Sequence, residues 1–163
     1  MTIRPIAPAD YPQLEDFLYH AIHVAPGETL PPREVIFTPD IHIYIKDFGQ
    51  LPADCGVLAE QDGTIIGMAW ARIIPAYGNI DAHTPELAIS VLPDYRGQGV
   101  GARMMQSLFT LLREQGHTRT SLSVQRANPA ARFYQRLGYE VLRENAELGD
   151  LIMVKDLTKE NMT

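Results

Sequence analysis

The sequence predicts an α/β (α+β) fold, a mixed and mostly antiparallel central sheet flanked by helices on both faces. Three observations carry that reading. A tight Asp62-Gly63 pair separates two strand-like runs, a hairpin signal. A long amphipathic helix interrupts the strands in mid-chain, between residues 99 and 115. The full order, β-α-α-β-β-β-α-β-α-β-β, needs a mixed sheet covered on both sides. The length of 163 residues suits one domain with one core, and 45% hydrophobic with 21% charged residues is ordinary for a folded chain.

Residues 2–6 alternate and stop before Pro8, which reads as the first strand. Asp10 then reads as an N-cap, with Gln13 completing a capping box. Leu14, Phe17, Leu18, Ala21 and Ile22 follow at helical spacing, so a helix is expected over residues 11–22. Residues 24–38 contain Pro26, Gly27, Pro31 and Pro32 and predict no long regular element. Thr38-Pro39 marks a second helix start, with Ile41, Tyr44, Ile45 and Phe48 as its apolar face and Gly49 as its stop.

Residues 55–61 and 64–74 are the hairpin strands, and 65–71 is apolar on both faces, as a central strand should be. A loop over 75–84 leads to a strand over 86–92. Val100, Met104, Met105, Leu108, Leu111 and Leu112 face one side of the long helix, which Gly116 ends. A strand over 121–125 follows, then a short helix capped by Asn128-Pro129 and stopped by Gly138. Residues 139–143 and 148–155 form a closing hairpin.

Composition removes several classes of function. No apolar run approaches the roughly 20 residues of a membrane helix, and residues 1–5 have no signal-peptide character, so a cytoplasmic protein is expected. Cys55 is the sole cysteine, which excludes an internal disulfide and a cysteine-rich metal site. His20 and His23 stand three apart on the first helix, but no acidic or thiol ligand joins them at a recognised spacing, so no metal is expected. Net charge of -6 argues against a nucleic-acid partner. Arg126, Arg132 and Arg136 gather near one helix and suit a phosphorylated small molecule better than a polymer.

The densest signal is Val91-Leu92-Pro93-Asp94-Tyr95-Arg96-Gly97-Gln98-Gly99-Val100-Gly101. A strand ends, three glycines fall at alternate positions, and a long helix starts at once. Such a helix start presents unpaired N–H groups with partial positive charge, and glycines let an anion approach them. Gly97, Gly99 and Ala102 also fit a dinucleotide-binding spacing, but that motif needs a carboxylate near the end of the next strand. Residues 120–125 hold none, and a hairpin precedes the motif, so the nicotinamide reading fails.

Arg96, Gly99 and Gly101, with the preceding Val91, Pro93 and Tyr95, resemble the acetyl-CoA motif of the GCN5-related N-acetyltransferases. Asn128, Ala131, the Phe133-Tyr134 pair, Gly138 and Tyr139 resemble that family's second motif. Together the two cover residues 84–143; residues 24–50 share no motif. The resemblance implies one N-acetyltransferase domain over residues 1–163, with the last few residues a flexible tail, and the fold of the acyl-CoA N-acyltransferases. It implies acetyl-CoA as cosubstrate and direct transfer to an amine, with no covalent enzyme intermediate.

Cofactor contact is then expected from Val91, Arg96, Gly97, Gln98, Gly99, Val100, Gly101, Ala102 and Asn128. The Val91 backbone N–H is the expected oxyanion donor. An alkyl ammonium with a pKa near ~10.4 leaves on the order of one molecule in a thousand neutral at pH 7, so a base is required. Glu86 opens the strand that leads to the loop, beside small Ala88 and Ser90, and is the candidate. Tyr134 is the candidate acid for the departing thiolate. The acceptor is expected between residues 24–38 and 75–84, where Arg33, Tyr77 and His83 are candidate contacts and Tyr44 and Phe37 also have recognition potential. A small amine and a protein N-terminus both remain open as acceptor, a homodimer remains open as assembly, and a non-catalytic acyl-CoA-sensing module remains the alternative function.

Overall fold

The computed structural model describes residues 1–159. The flexible tail expected for the last few residues falls on 160–163, outside the described residues. Seven strands form one sheet in the order β1-β2-β3-β4-β5-β7-β6. These are β1 (Thr2–Pro5), β2 (Cys55–Gln61), β3 (Thr64–Arg72), β4 (Glu86–Val91), β5 (Arg119–Gln125), β6 (Glu140–Asn145) and β7 (Asp150–Asp156). Every neighbouring pair is antiparallel except β4 with β5. The sheet is thus mixed and mostly antiparallel, as expected. Asp62 and Gly63 have φ of 53° and 79°, which the twist-matched two-residue turn between β2 and β3 demands.

The helices are α1 (Leu14–Ala21), α2 (Pro39–His42), α3 (Val100–Glu114) and α4 (Ala130–Arg136). Parallel β4 and β5 require a crossover, and α3 supplies it. Its apolar stripe, Met104, Met105, Leu108, Phe109 and Leu112, packs on Val57, Ala59, Ala69, Ala71, Leu122 and Met153. The opposite face of the sheet, at Leu58, Met68 and Trp70, carries Leu14, Phe17 and Leu18 of α1 with Ile36, Ile45 and Phe48. Because side chains alternate along a strand, β3 serves both cores, which explains a run apolar on both faces.

Two local expectations are corrected. Asp10 is not an N-cap with Gln13. A 3-10 helix spans Pro8–Gln13, and Asp10 sits in its first turn, reaching back to the Ala7 N–H at 2.8 Å. Its carboxylate also takes two bonds from the Arg4 guanidinium, which holds it below the usual carboxylate range. Pro12 has no N–H to give, so the α-helix begins only at Leu14. The second helix is α-helical only over Pro39–His42 and continues as turns to Gly49. The Ile43 and Lys46 carbonyls that would extend it instead accept from Arg72 Nη1, each at 2.8 Å. The strand expected from residue 121 begins earlier, at Arg119.

Arg72 is 3% exposed and locks this region. Besides those carbonyls it makes a two-point contact with Asp54, Nε–Oδ1 at 2.9 Å and Nη2–Oδ2 at 3.0 Å. Asp54 also accepts the Gly49 and Leu51 N–H groups. Asp54→Ala leaves a buried guanidinium without its counter-charge, so urea denaturation of this variant is expected to show a loss of about 3–5 kcal/mol. A loss under 1 kcal/mol contradicts this account of the turn.

Candidate active site

The site begins where the sheet fails to pair. Strands β4 and β5 share one register position, Glu86 with Ser121, and then diverge. Leu92 donates its N–H to Ile66 O of β3 at 2.8 Å. Backbone direction alternates along a strand, so the N–H and C=O of Val91 face the opposite way, into the gap. Arg96 Nε donates to Val91 O from that side at 3.0 Å.

The chain beyond β4 turns through Gly97 (φ 75°) and Gly99 (φ 81°) into α3. A Cβ at either glycine would meet nothing within 4 Å, so backbone conformation rather than crowding selects glycine, and the first N–H groups of α3 stay uncovered. A cavity of about 790 Å³ opens there. Val91, Arg96, Gly97, Gly99, Val100, Gly101 and Ala102 line one side, and Pro129, Phe133, Tyr134 and Arg136 line the other. Gln98 and Asn128 are not part of its lining. The Gln98 side chain is exposed and folds back to Asp94 O at 3.2 Å, while Asn128 Oδ1 accepts the Ala130 N–H at 2.9 Å. Free helix N–H groups and two arginines make this cavity suited to an anionic ligand, and the open strand edge can pair with an amide-bearing one.

A second cavity, about 350 Å³, lies on the α1 face. Ile89 and Tyr134 line both cavities, so the two meet at these residues. Glu86 is 2% exposed and lines the second cavity. Its Oε2 accepts the Tyr44 hydroxyl and, at 3.0 Å, the Gly78 N–H. Its Oε1 is buried without a hydrogen-bond partner. Burial pushes the Glu86 carboxyl up to about 7, against the two donors, which favour its charge.

Gly78 makes this arrangement possible. A Cβ there would lie 2.7 Å from Leu122 C and Ser123 N and 2.8 Å from Glu86 Oε2. Only a glycine brings the 75–84 loop against β5, where Ser121 Oγ donates to Gly78 O at 2.7 Å. Tyr134 packs between Phe133 and Tyr139, with ring centroids 5.4 and 5.8 Å away, and burial pushes its phenol up to about 12.

Tyr77 lines the second cavity; Arg33 and His83 do not. Arg33 is exposed, pairs with Asp16 and lies over the Tyr19 ring. His83 is exposed too, its backbone N–H bound to Asp81 Oδ1 at 2.8 Å. The cavity adds residues that sequence reasoning did not find: His23, Ser123, Leu148 and Asp150. Among the described residues, no group of three or more His, Cys, Asp or Glu could hold a metal ion, and no helix is long and apolar enough to cross a membrane.

An open, mostly antiparallel sheet with one splayed parallel pair and a glycine turn at the splay is the architecture that the comparisons with known proteins share. Residues 18–139 match the model of the Acetyltransferase (GNAT) family, and the chain belongs to that family. YyaT of Bacillus subtilis (strain 168), a protein named as uncharacterized, is 30% identical over 141 residues, covering 81% of this chain and 89% of that protein. Among solved structures, yncA from Salmonella typhimurium with its cofactor acetyl-CoA superposes with a TM-score of 0.72 at 19% identity, covering 100% of this chain and 97% of that one. The PaiA N-acetyltransferase from Thermoplasma acidophilum in complex with coenzyme A gives 0.69 at 19% identity, covering 96% and 99%. These two likenesses establish the shared fold.

The Glu86 environment has a stability consequence. Its folded pKa stands above the ordinary 4.5, so the fold prefers the protonated form. Stability is fully present below 4.5 and declines as pH rises through about 7. Urea denaturation is expected to find Glu86→Gln more stable than the parent at pH 8, by on the order of 3 kcal/mol, with the difference shrinking toward pH 4.5. A difference independent of pH contradicts the strained carboxylate.

Proposed function

We propose that the protein transfers the acetyl group of acetyl-CoA to a primary amine by direct attack in a ternary complex. One observation carries this: the cofactor-sized cavity and the cavity holding Glu86 meet at Ile89 and Tyr134. Donor and acceptor can therefore be bound from opposite sides of the sheet and still touch. We read residues 1–163 as one such transferase domain.

Acetyl-CoA supplies an acetyl group activated as a thioester. Toward it the chain offers the N–H groups of residues 97–102 for the diphosphate, Arg96 and Arg136 for phosphate charge, and the Val91 edge for the amide arm. The Val91 N–H is the donor available for negative charge building on the carbonyl oxygen. On the other side Glu86, with its carboxyl near 7, is a base at neutral pH and loses little driving force as it takes a proton. The amine forms its C–N bond as the C–S bond breaks. Its surplus proton passes to Glu86 Oε1, directly or through one water.

Tyr134 stands where both cavities meet and, with its phenol near 12, keeps its proton at every working pH. It therefore serves the departing sulfur as a hydrogen-bond donor and keeps its own proton, because a thiolate, whose thiol has a pKa of about 8.5, is a weaker base than this phenolate. A carboxylate held uncompensated at the cofactor's back favours catalysis over acyl-CoA sensing, because sensing needs no base.

Thiol release with an amine panel tests this. The rate constant kcat/KM is expected to rise with pH through an inflection near 7. Glu86→Gln should abolish the inflection and slow turnover by about 10²-fold or more. Tyr134→Phe should lower kcat about tenfold or more while acetyl-CoA affinity holds within about twofold. Acetyl-CoA binding without thiol release on any amine contradicts the transferase reading and leaves the sensing one.

A further inference from the structure

The acceptor cavity has a charge pattern that a simple amine does not use. Two carboxylates line it, Glu86 and Asp150, and among the described residues no lysine or arginine does. Asp150 is 9% exposed, with the hydroxyl of Ser123 as its neighbour. Burial pushes its carboxyl upward, and among the described residues no ion pair includes Asp150. The arginines on this side are exposed and engaged elsewhere: Arg143 donates to Asn79 O at 3.0 Å, and Arg126 pairs with Glu144. Tyr77, at the same wall, has its phenol raised by burial first, with Asp40 and Asp150 adding to the effect.

The sheet register fixes how the two carboxylates relate. Glu86 pairs with Ser121 across one side of β5, and Asp150 pairs with Gln125 across the other. Ser121 and Gln125 share a face of β5 four residues apart, roughly 13 Å at about 3.3 Å per residue. Glu86 and Asp150 therefore reach into one cavity from opposite ends. The unpartnered Glu86 Oε1 marks one end as a place where a ligand atom belongs.

We propose that the acceptor is a dicationic amine, its reacting nitrogen at Glu86 and a second ammonium seated on Asp150. This rests on the transferase reading and adds the substrate class. Asp150 acts as a specificity-determining residue: it anchors the far cation and leaves proton transfer to Glu86. The same charge pattern disfavours acceptors with a carboxylate at the far end, because among the described residues no lysine or arginine lines the cavity to answer it.

The test compares hexane-1,6-diamine, hexylamine and 6-aminohexanoate as acceptors at pH 8, with butane-1,4-diamine and butylamine as a shorter pair. For the parent protein, kcat/KM is expected to favour hexane-1,6-diamine over hexylamine at least tenfold, beyond the twofold given by two identical amines. The aminohexanoate should be the poorest of the three. Asp150→Asn should collapse the diamine-to-monoamine ratio toward that twofold, mainly through KM, and Asp150→Glu should restore part of it. Equal use of diamines and monoamines by the parent, or an unchanged ratio in Asp150→Asn, overturns the inference while the transferase reading stands. No turnover of any amine overturns both.

Discussion

The divergence of β4 from β5 is the constraint on which the rest depends. Two parallel strands that paired along their length would satisfy each other's backbone and close the sheet. Here they pair at Glu86 and Ser121 alone, so the far end of β4 presents Val91 to a gap with no strand beside it. An unpaired edge inside a fold must find other partners. Arg96 takes the Val91 carbonyl, and the Gly78 turn braces the closed end against β5. The α3 glycine turn then falls at the open end, and the two cavities lie on either side of the opening.

The same geometry sets the electrostatics. Glu86 is the last paired residue before the strands part, so it is buried by the sheet yet borders the second cavity. Only one of its oxygens is satisfied, by Tyr44 and Gly78. The fold thus carries a carboxyl it would rather keep protonated, a strain of the kind that marks sites of proton transfer. Tyr134 differs in kind: its raised phenol makes it a lasting donor and not a titrating acid. Asp150 extends the acidic wall of the second cavity away from Glu86.

Much of this was legible in the sequence, and what was hidden has a common cause. The element order, the Asp62-Gly63 hairpin and the Gly97–Gly101 turn depend on local periodicity and on φ values that few residues adopt, so they can be read directly. The second helix could not be: its shortening comes from Arg72, a side chain some thirty residues downstream that captures its carbonyls. Glu86 stands out in the sequence because it precedes the glycine turn on one strand. Asp150, Ser123 and Gly78 reach the site through strand register and loop packing, which leave no local periodic trace. Gln98 folds back to Asp94 between two glycines and Arg33 is held by Asp16, contacts that neither motif position nor loop position discloses.

Backbone chemistry at the open edge offers the most direct measurement. With 15N-labelled protein, amide hydrogen exchange and chemical shifts can be followed as coenzyme A is added. The account predicts that the Val91 amide and those of residues 97–102 shift and gain protection, while the Leu92 amide, already bonded to Ile66, changes little. Protection appearing elsewhere, or a Val91 amide indifferent to coenzyme A, would contradict the claim that the splayed β4 edge is where this protein binds its acyl donor.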